Sequence, residues 1–253
     1  MAERSAPPDA FGNTAREYEL GRPEWPDELI DRVVDELELA PESTVLDLGA
    51  GTGKLTRALV RRFARVIAVE PDDAMRAVLE EVVPDAEALA GSAEAIPVED
   101  DSVDAVFCAE AFHWFASDET VAEIARVLRS GGGFVIFWNI EFSEIDPPLP
   151  DAAEAVLDEA FARGGRPGIS KILSGAWREP LARSAFGPLH EAEAEHEVVR
   201  DRDQWLATML SVSSIASLPD GDRHALATRL RELVPDAEYR WRIRTVGYWT
   251  RLR

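Results

Sequence analysis

The stretch "TVLDLGAGTGKLTRAL", residues 44–59, constrains the fold of this chain more than any other. A short apolar run enters a loop with glycines at 49, 51 and 53, and an apolar-periodic segment carrying Leu55, Leu59, Val60 and Phe63 leaves it. A strand, a glycine loop and a helix in that order begin an alternating α/β unit. Because glycine carries no Cβ, the loop backbone can lie directly against a ligand.

The alternation continues downstream. Strands are expected at "RVIAVE", "AEALA", "DAVFCA" and "GFVIFW", each short and apolar as in a sheet covered on both faces, with helices at about 53–63, 72–82 and 117–128. Ahead of the first strand, "PDELIDRVVDEL" places Leu29, Ile30, Val33, Val34 and Leu37 on one helical face, with Pro26 suited to the first turn. Beyond "DPPLP" at 146–150 the pattern becomes a helix at about 151–163, the turn-rich "RGGRPG", and helical stretches broken by "LPDG". Two later strand candidates, "LHEAEAEHEVV" and "YRWRIRTVGYWTRL", bring the expected total to seven in a mostly parallel, doubly wound α/β sheet with helices on both faces and helical insertions in the C-terminal half.

With 253 residues the chain is long enough to bury a real core. Its 48 acidic against 27 basic residues give a formal net charge of −21, which disfavours a nucleic-acid partner. "RRFAR" at 61–65 reads as a helix C-terminus, and the arginines of "RWRIRTVGYWTRLR" as the exposed side of a strand. No apolar stretch approaches the roughly 20 residues that span a bilayer, so no membrane partner is expected. The first residues lack a signal-type apolar core and Cys108 has no cysteine partner, both of which point to the cytoplasm. One cysteine and scattered histidines (His190, His196 and His224 read as surface) leave no metal cluster to expect. Oligomeric state is not legible.

The glycine loop fits two common ligands poorly. A phosphate-binding P-loop needs G-x-x-x-x-G-K-[ST], but Leu48 stands where its first glycine belongs and Leu55 follows Lys54. A dinucleotide fingerprint needs G-x-G-x-x-G, and here the last glycine comes one residue early, with Lys54 in its place. "DLGAGTG", Asp47 to Gly53, resembles instead the D/E-x-G-x-G-x-G loop of the class I S-adenosylmethionine-dependent methyltransferases, whose fold is Rossmann-like. The resemblance implies that Gly49, Ala50, Gly51 and Gly53 approach the amino-acid and ribose end of S-adenosylmethionine (product S-adenosyl-L-homocysteine). Asp47 would serve its ammonium directly or through water, or else only pin its own loop.

Glu70 ends the second strand roughly twenty residues later and can accept from both ribose hydroxyls, a device dinucleotide enzymes share. Pro71 to Met75 opens the next helix, with Met75 either at the nucleoside or in the core. "AGSAEAIPVEDDSVDAVFCAEAFHWF" resembles the adenine-binding loop and fourth strand of the family. That maps Ser92, Ala93 and Glu94 onto the adenine loop and leaves Ala109 at the strand end; many members have aspartate at the position of Ser92. Asp104 reads as a strand-start residue. "IARVLRSGGGFVIFWN" resembles the helix, glycine turn and fifth strand that follow, with Gly131 to Gly133 as cap and turn. The resemblance runs from about Phe11 to Asn139. "AREYELGRPEWPDELI" is similar to the lead-in of a small-molecule subgroup related to the trans-aconitate and ubiquinone-type methyltransferases, in which the N-terminal segment covers the cofactor. Tyr18 and Arg22 are then candidates for closing over the methionine end, Arg22 toward a carboxylate or toward its own loop.

The implied organisation is a cover segment at 1–26 and a methyltransferase domain at 27–253, divided into a cofactor-binding core (27–139) and substrate-side helices with the final strands (140–253). A small-molecule methyl acceptor is expected above the carboxyl ends of the strands. His113 in "EAFHWF" is the candidate catalytic base, or a residue that only orients the acceptor. Glu110 and Trp114 are candidate acceptor contacts, and Phe112 and Trp114 are either an aromatic wall or core. Two alternatives stay open at this stage: a nicotinamide-dependent oxidoreductase, and a non-catalytic S-adenosylmethionine-binding protein.

Overall fold

The computed structural model describes residues 14–164 and 167–253. Residues 1–13 of the expected cover segment, Phe11 included, lie outside the described residues. Seven strands form one sheet: β1 (Thr44–Leu48), β2 (Arg65–Val69), β3 (Glu87–Leu89), β4 (Val103–Ala109), β5 (Leu128–Phe142), β6 (His190–Arg200) and β7 (Tyr239–Arg251). Their order is β3-β2-β1-β4-β5-β7-β6. The first five pair in parallel, while β7 runs antiparallel to both neighbours. This is the expected seven-stranded, mostly parallel sheet.

The apolar runs become central strands because helices bury both sides of them. Phe134, Val135, Ile136, Phe137 and Trp138 of β5 are all fully buried, and each large apolar side chain so placed contributes about 1.5–3 kcal/mol relative to exposure. On one face α2 (Asp27–Glu36) supplies Leu29, Ile30 and Val33, and α3 (Thr56–Val60) supplies Ala58 and Leu59. On the other face α5 (Phe112–Phe115) and α6 (Asp118–Val127) supply Phe112, Val121 and Ile124. The helix starts follow local chemistry: Pro26 precedes α2 with its carbonyl accepting from Leu29 and Ile30, and Ser117 accepts from the Thr120 amide at 3.1 Å. Asp72 accepts from Ala74 and Met75 to begin α4 (Asp73–Val82).

Two local expectations are corrected. The helix expected from residue 53 begins only at Thr56, because Gly53 takes φ +88°, a conformation outside the helix. The glycines at 131–133 lie within β5 and do not cap the preceding helix. Helix α6 stops at Val127, and the fully buried Leu128 already pairs with Val103. A register shift between Val103 and Ala105 absorbs the extra residues, with Gly131 at φ +78°.

β5 and β7, with 15 and 13 residues, extend past the carboxyl ends of the shorter parallel strands and carry a helical layer there. It comprises α7 (Asp151–Gly164), α8 (Pro167–Ser174), α9 (Arg178–Ala182), α10 (Arg202–Leu210), α11 (Ser213–Ala216) and α12 (Asp220–Leu233). Leu157, Trp205, Leu206, Ile215 and Leu230 form a separate core there with Tyr239, Trp241 and Ile243 of β7.

The N-terminal helix α1 (Ala15–Gly21) packs between α10 and α4. Thr208 Oγ1 donates to the Gly21 carbonyl at 2.8 Å, and a Cβ at Gly21 would fall 2.1 Å from the Thr208 backbone nitrogen. Farther along, Lys54 and Arg57 gather Glu19 and Glu24, with Arg57 to Glu19 at 2.6 Å and Lys54 to Glu24 at 3.0 Å. The lysine that breaks the dinucleotide fingerprint thus clasps the N-terminal segment to the glycine loop. Gly21→Ala should push α1 off α10 and raise the rate of tryptic cleavage at Arg16 several-fold. Equal cleavage of variant and parent would contradict this docking.

Candidate active site

A cavity of about 500 Å³ opens at the carboxyl ends of β1, β2, β4 and β5, roofed by α1 and the helical layer. Strand order turns outward on either side of β1 and β4, which is where open α/β sheets place ligands.

The glycine loop forms one wall. Gly49, Gly51 and Gly53 take φ +70°, +59° and +88°, values that side-chain-bearing residues reach only with strain. A Cβ on Gly49 would lie 2.8 Å from the Ala111 methyl, whereas one on Gly51 would project into the cavity with only the Tyr18 ring near, at 4.0 Å. Ligand atoms therefore have room against the backbone at Gly51. Glu70 sets the loop: its two carboxylate oxygens accept from the Gly51 amide at 2.9 Å and the Asp72 amide at 3.0 Å.

Acids dominate the electrostatics. Burial raises the pKa of Glu70 and that of Glu110, and Asp47, 1% exposed, is pushed up to about 7 by burial despite a 2.6 Å hydrogen bond from Thr56 Oγ1. Glu94 also lines the cavity. Among the described lining residues only Arg22 carries a fixed positive charge, and its Nε and Nη2 donate to Ser211 Oγ and O at 3.1 and 2.9 Å. A cation relieves such a site, while a pyrophosphate would meet repulsion. The residues present therefore suit a cationic nucleoside such as S-adenosylmethionine and not NAD.

Of the residues singled out in the sequence, Tyr18, Arg22, Gly49, Gly51, Glu70 and Pro71 line the cavity. So do Met75, Ser92, Ala93, Glu94 and Ala109, together with Glu110, His113 and Trp114. Asp47, Ala50 and Gly53 do not. Asp47 is turned under the loop to Thr56, Ala50 packs on Ala68 and Leu79, and Gly53 faces Leu79 and Val83. They shape the loop without facing the cavity. Tyr18, its phenol pushed up to about 12 by burial, lies 5.2 Å from the Arg22 guanidinium and stays neutral. Arg22 reaches across to the helical layer at Ser211, in place of its own loop. Met75 is both core and lining, at 3% exposure.

Phe112 and Trp114 divide the two roles offered to them. Phe112 is core, edge-on to Phe134 at 5.1 Å, whereas Trp114 faces the cavity with the Lys171 ammonium 4.9 Å from its ring centre. Glu110 sits at φ +54°, its Oε1 accepting from the Asn139 amide at 2.8 Å. A residue with a side chain in that region is strained and is held there by the surrounding structure. His113 is buried, and its pKa is depressed to about 3 by burial, with the Lys171 charge adding to it. It is neutral at physiological pH.

Sequence reasoning missed Asn139, Phe142, Gly168, Ile169, Val212 and Ser213, all lining. Asn139 had a signal, being the first polar residue after the β5 apolar run. Phe142 ends β5, and the others lie in or beside the short helices α8 and α11, with no motif. Asp104 does brace strands, accepting from the Thr44 amide at 2.7 Å and pairing with Arg129 at 2.7 Å. Cys108 is fully buried with its thiol pKa pushed up, and His196 is half-buried instead of on the surface. Among the described residues no cluster could hold a metal, and no helix is long and apolar enough to cross a membrane.

A family model described as a methyltransferase domain matches residues 46–136. An uncharacterized methyltransferase-like protein of Schizosaccharomyces pombe is 33% identical over 224 residues, covering 88% of this chain and 85% of the relative. An uncharacterized methyltransferase of Mycobacterium tuberculosis is 48% identical over 130 residues, covering 51% and 52%. Among solved structures, a candidate type II methyltransferase of Anaeromyxobacter dehalogenans superposes with a TM-score of 0.61 at 25% identity, covering 91% of this chain and 98% of its own.

The burial of Asp47 has a measurable consequence. Its pKa is raised from about 4 in the unfolded chain to about 7 when folded. Its contribution to stability is therefore complete below pH 4 and lost as pH rises through 7. Asp47→Asn, which keeps an acceptor for Thr56, should melt above the parent at pH 8, with the advantage shrinking toward pH 5. A pH-independent difference would contradict the raised pKa.

Proposed function

This chain belongs to the class I S-adenosylmethionine-dependent methyltransferases, and on that premise we propose that it methylates a small organic molecule held in the cavity beside His113 and Trp114. The nicotinamide-dependent oxidoreductase alternative falls with the family assignment. The observation that carries the reading is the division of one cavity: a glycine loop and acids on one side, and aromatic, apolar and neutral polar groups on the other.

In this reading Gly49 and Gly51 let the cofactor lie against the loop backbone, and Glu70, already oriented by two backbone amides, accepts from the ribose hydroxyls with its remaining lone pairs. Gly91, Ser92, Ala93 and Glu94 border the adenine, and Tyr18 and Arg22 close the methionine end. When bound, S-adenosylmethionine supplies a methyl group already activated by its sulfonium. What is left to the chain is alignment and the exclusion of water.

α1 and the helical layer exclude water from above, and Trp114, Phe142, Ile169 and Ile172 form an apolar wall for the acceptor. The enclosed volume favours a small acceptor, and the acidic surface works against a polyanion. His113, buried and neutral, serves to orient the acceptor and not to carry charge.

Incubation of the protein and a small-metabolite extract with cofactor labelled in its methyl group, followed by mass spectrometry, should show label in a low-molecular-weight product. Label confined to macromolecules, or none transferred by protein that binds the cofactor, would contradict this function.

A further inference from the structure

His113 lies on α5 with its Nδ1 facing the sheet, where the Trp138 indole Nε1 donates to it at 3.1 Å. Both rings are buried, Trp138 completely. An indole nitrogen is only a donor, so Nδ1 must present a lone pair, and the single proton of a neutral imidazole is then on Nε2. Charging the ring would place a proton on Nδ1 against the indole N–H and leave a buried donor without a partner, at the cost of an unmet hydrogen bond.

The other nitrogen faces the cavity. A Cβ on Gly168 would lie 3.4 Å from His113 Nε2 and 3.6 Å from Ser213 Oγ, and all three residues line the same space. Nearby, Asn139 is oriented in the same way: Thr245 Oγ1, on a fully buried residue, donates to Asn139 Oδ1 at 2.6 Å, which turns the amide NH₂ to the free end. Two neutral donors, each fixed by a buried partner behind it, thus belong to the half of the cavity assigned to the acceptor.

We propose that Trp138 is a positioning residue that holds His113 as a permanent Nε2–H donor, and that His113 takes a carboxylate or carbonyl oxygen of the methyl acceptor. This rests on the functional reading above for the identity of the ligand, but the tautomer does not. As a consequence His113 is no general base: Nε2 already carries its proton and the lone pair of Nδ1 is occupied. An acceptor whose nucleophile is anionic at neutral pH, as a carboxylate is, needs no such base.

The test is nitrogen-15 NMR of histidine- and tryptophan-labelled protein saturated with S-adenosyl-L-homocysteine, with the His113 signals assigned by their loss in His113→Gln. The expected result is a lone-pair Nδ1, a protonated Nε2 and a scalar coupling across the hydrogen bond from Trp138 Nε1 to His113 Nδ1. In Trp138→Phe the ring should become a mixture of tautomers. A protonated Nδ1, an absent coupling, or an unchanged tautomer in Trp138→Phe would overturn the positioning role; the coupling in the parent decides it if the variant does not fold. Benzoate, as a carboxylate probe, should shift the His113 Nε2–H signal, and benzylamine should not. A shift with benzylamine alone, or with neither, would overturn the acceptor class. Absence of methyl transfer alongside the expected tautomer would count against the function alone.

Discussion

The site depends on one carboxylate. Glu70 joins the end of β2 to the glycine loop after β1 by accepting from the Gly51 amide, and to the start of α4 by accepting from the Asp72 amide. Three positive-φ glycines in five residues are entropically costly to order. Charge-assisted bonds of this kind are roughly twice as strong as neutral ones. Asp47 and Thr56 brace the same loop from below, and Lys54 clasps the N-terminal segment over it through Glu24 and Glu19.

The same arrangement supports the proposed choice of cofactor. Burial raises the pKa of Glu70 and Glu110, which line the cavity, and of Asp47 beneath the loop, so their charged forms carry a desolvation cost that a cationic ligand relieves. The sulfonium and ammonium of S-adenosylmethionine suit such a wall, and a dinucleotide pyrophosphate does not. Opposite the acids, the groups proposed to face the acceptor are apolar or neutral donors, with Lys171 held over the Trp114 ring. In the proposed reading, cofactor and acceptor meet two electrostatically different halves of one cavity.

The sheet and the glycine-loop wall were legible because they rest on local rules. Apolar runs of strand length, glycines at positive φ and a carboxylate at the second strand end leave direct traces in sequence. Asp47 shows the limit: the motif marks the residue, but only packing reveals that it turns to Thr56 and not into the cavity. The half of the cavity proposed for the acceptor was mostly illegible, since Gly168, Ile169, Val212 and Ser213 reach the cavity only through the way α8 and α11 pack on the β5–β7 extension. His113 was visible as a titratable residue at the rim. Its tautomer depends on Trp138, 25 residues away on β5.

The most direct test of the account is calorimetric titration of the parent and of Glu70→Ala with S-adenosylmethionine, S-adenosyl-L-homocysteine and NAD. The account predicts that the parent binds both sulfur nucleosides and not NAD, and that removing the carboxylate weakens them by about 1.5–3 kcal/mol. Tighter binding of NAD than of S-adenosylmethionine, or unchanged affinity in Glu70→Ala, would contradict it.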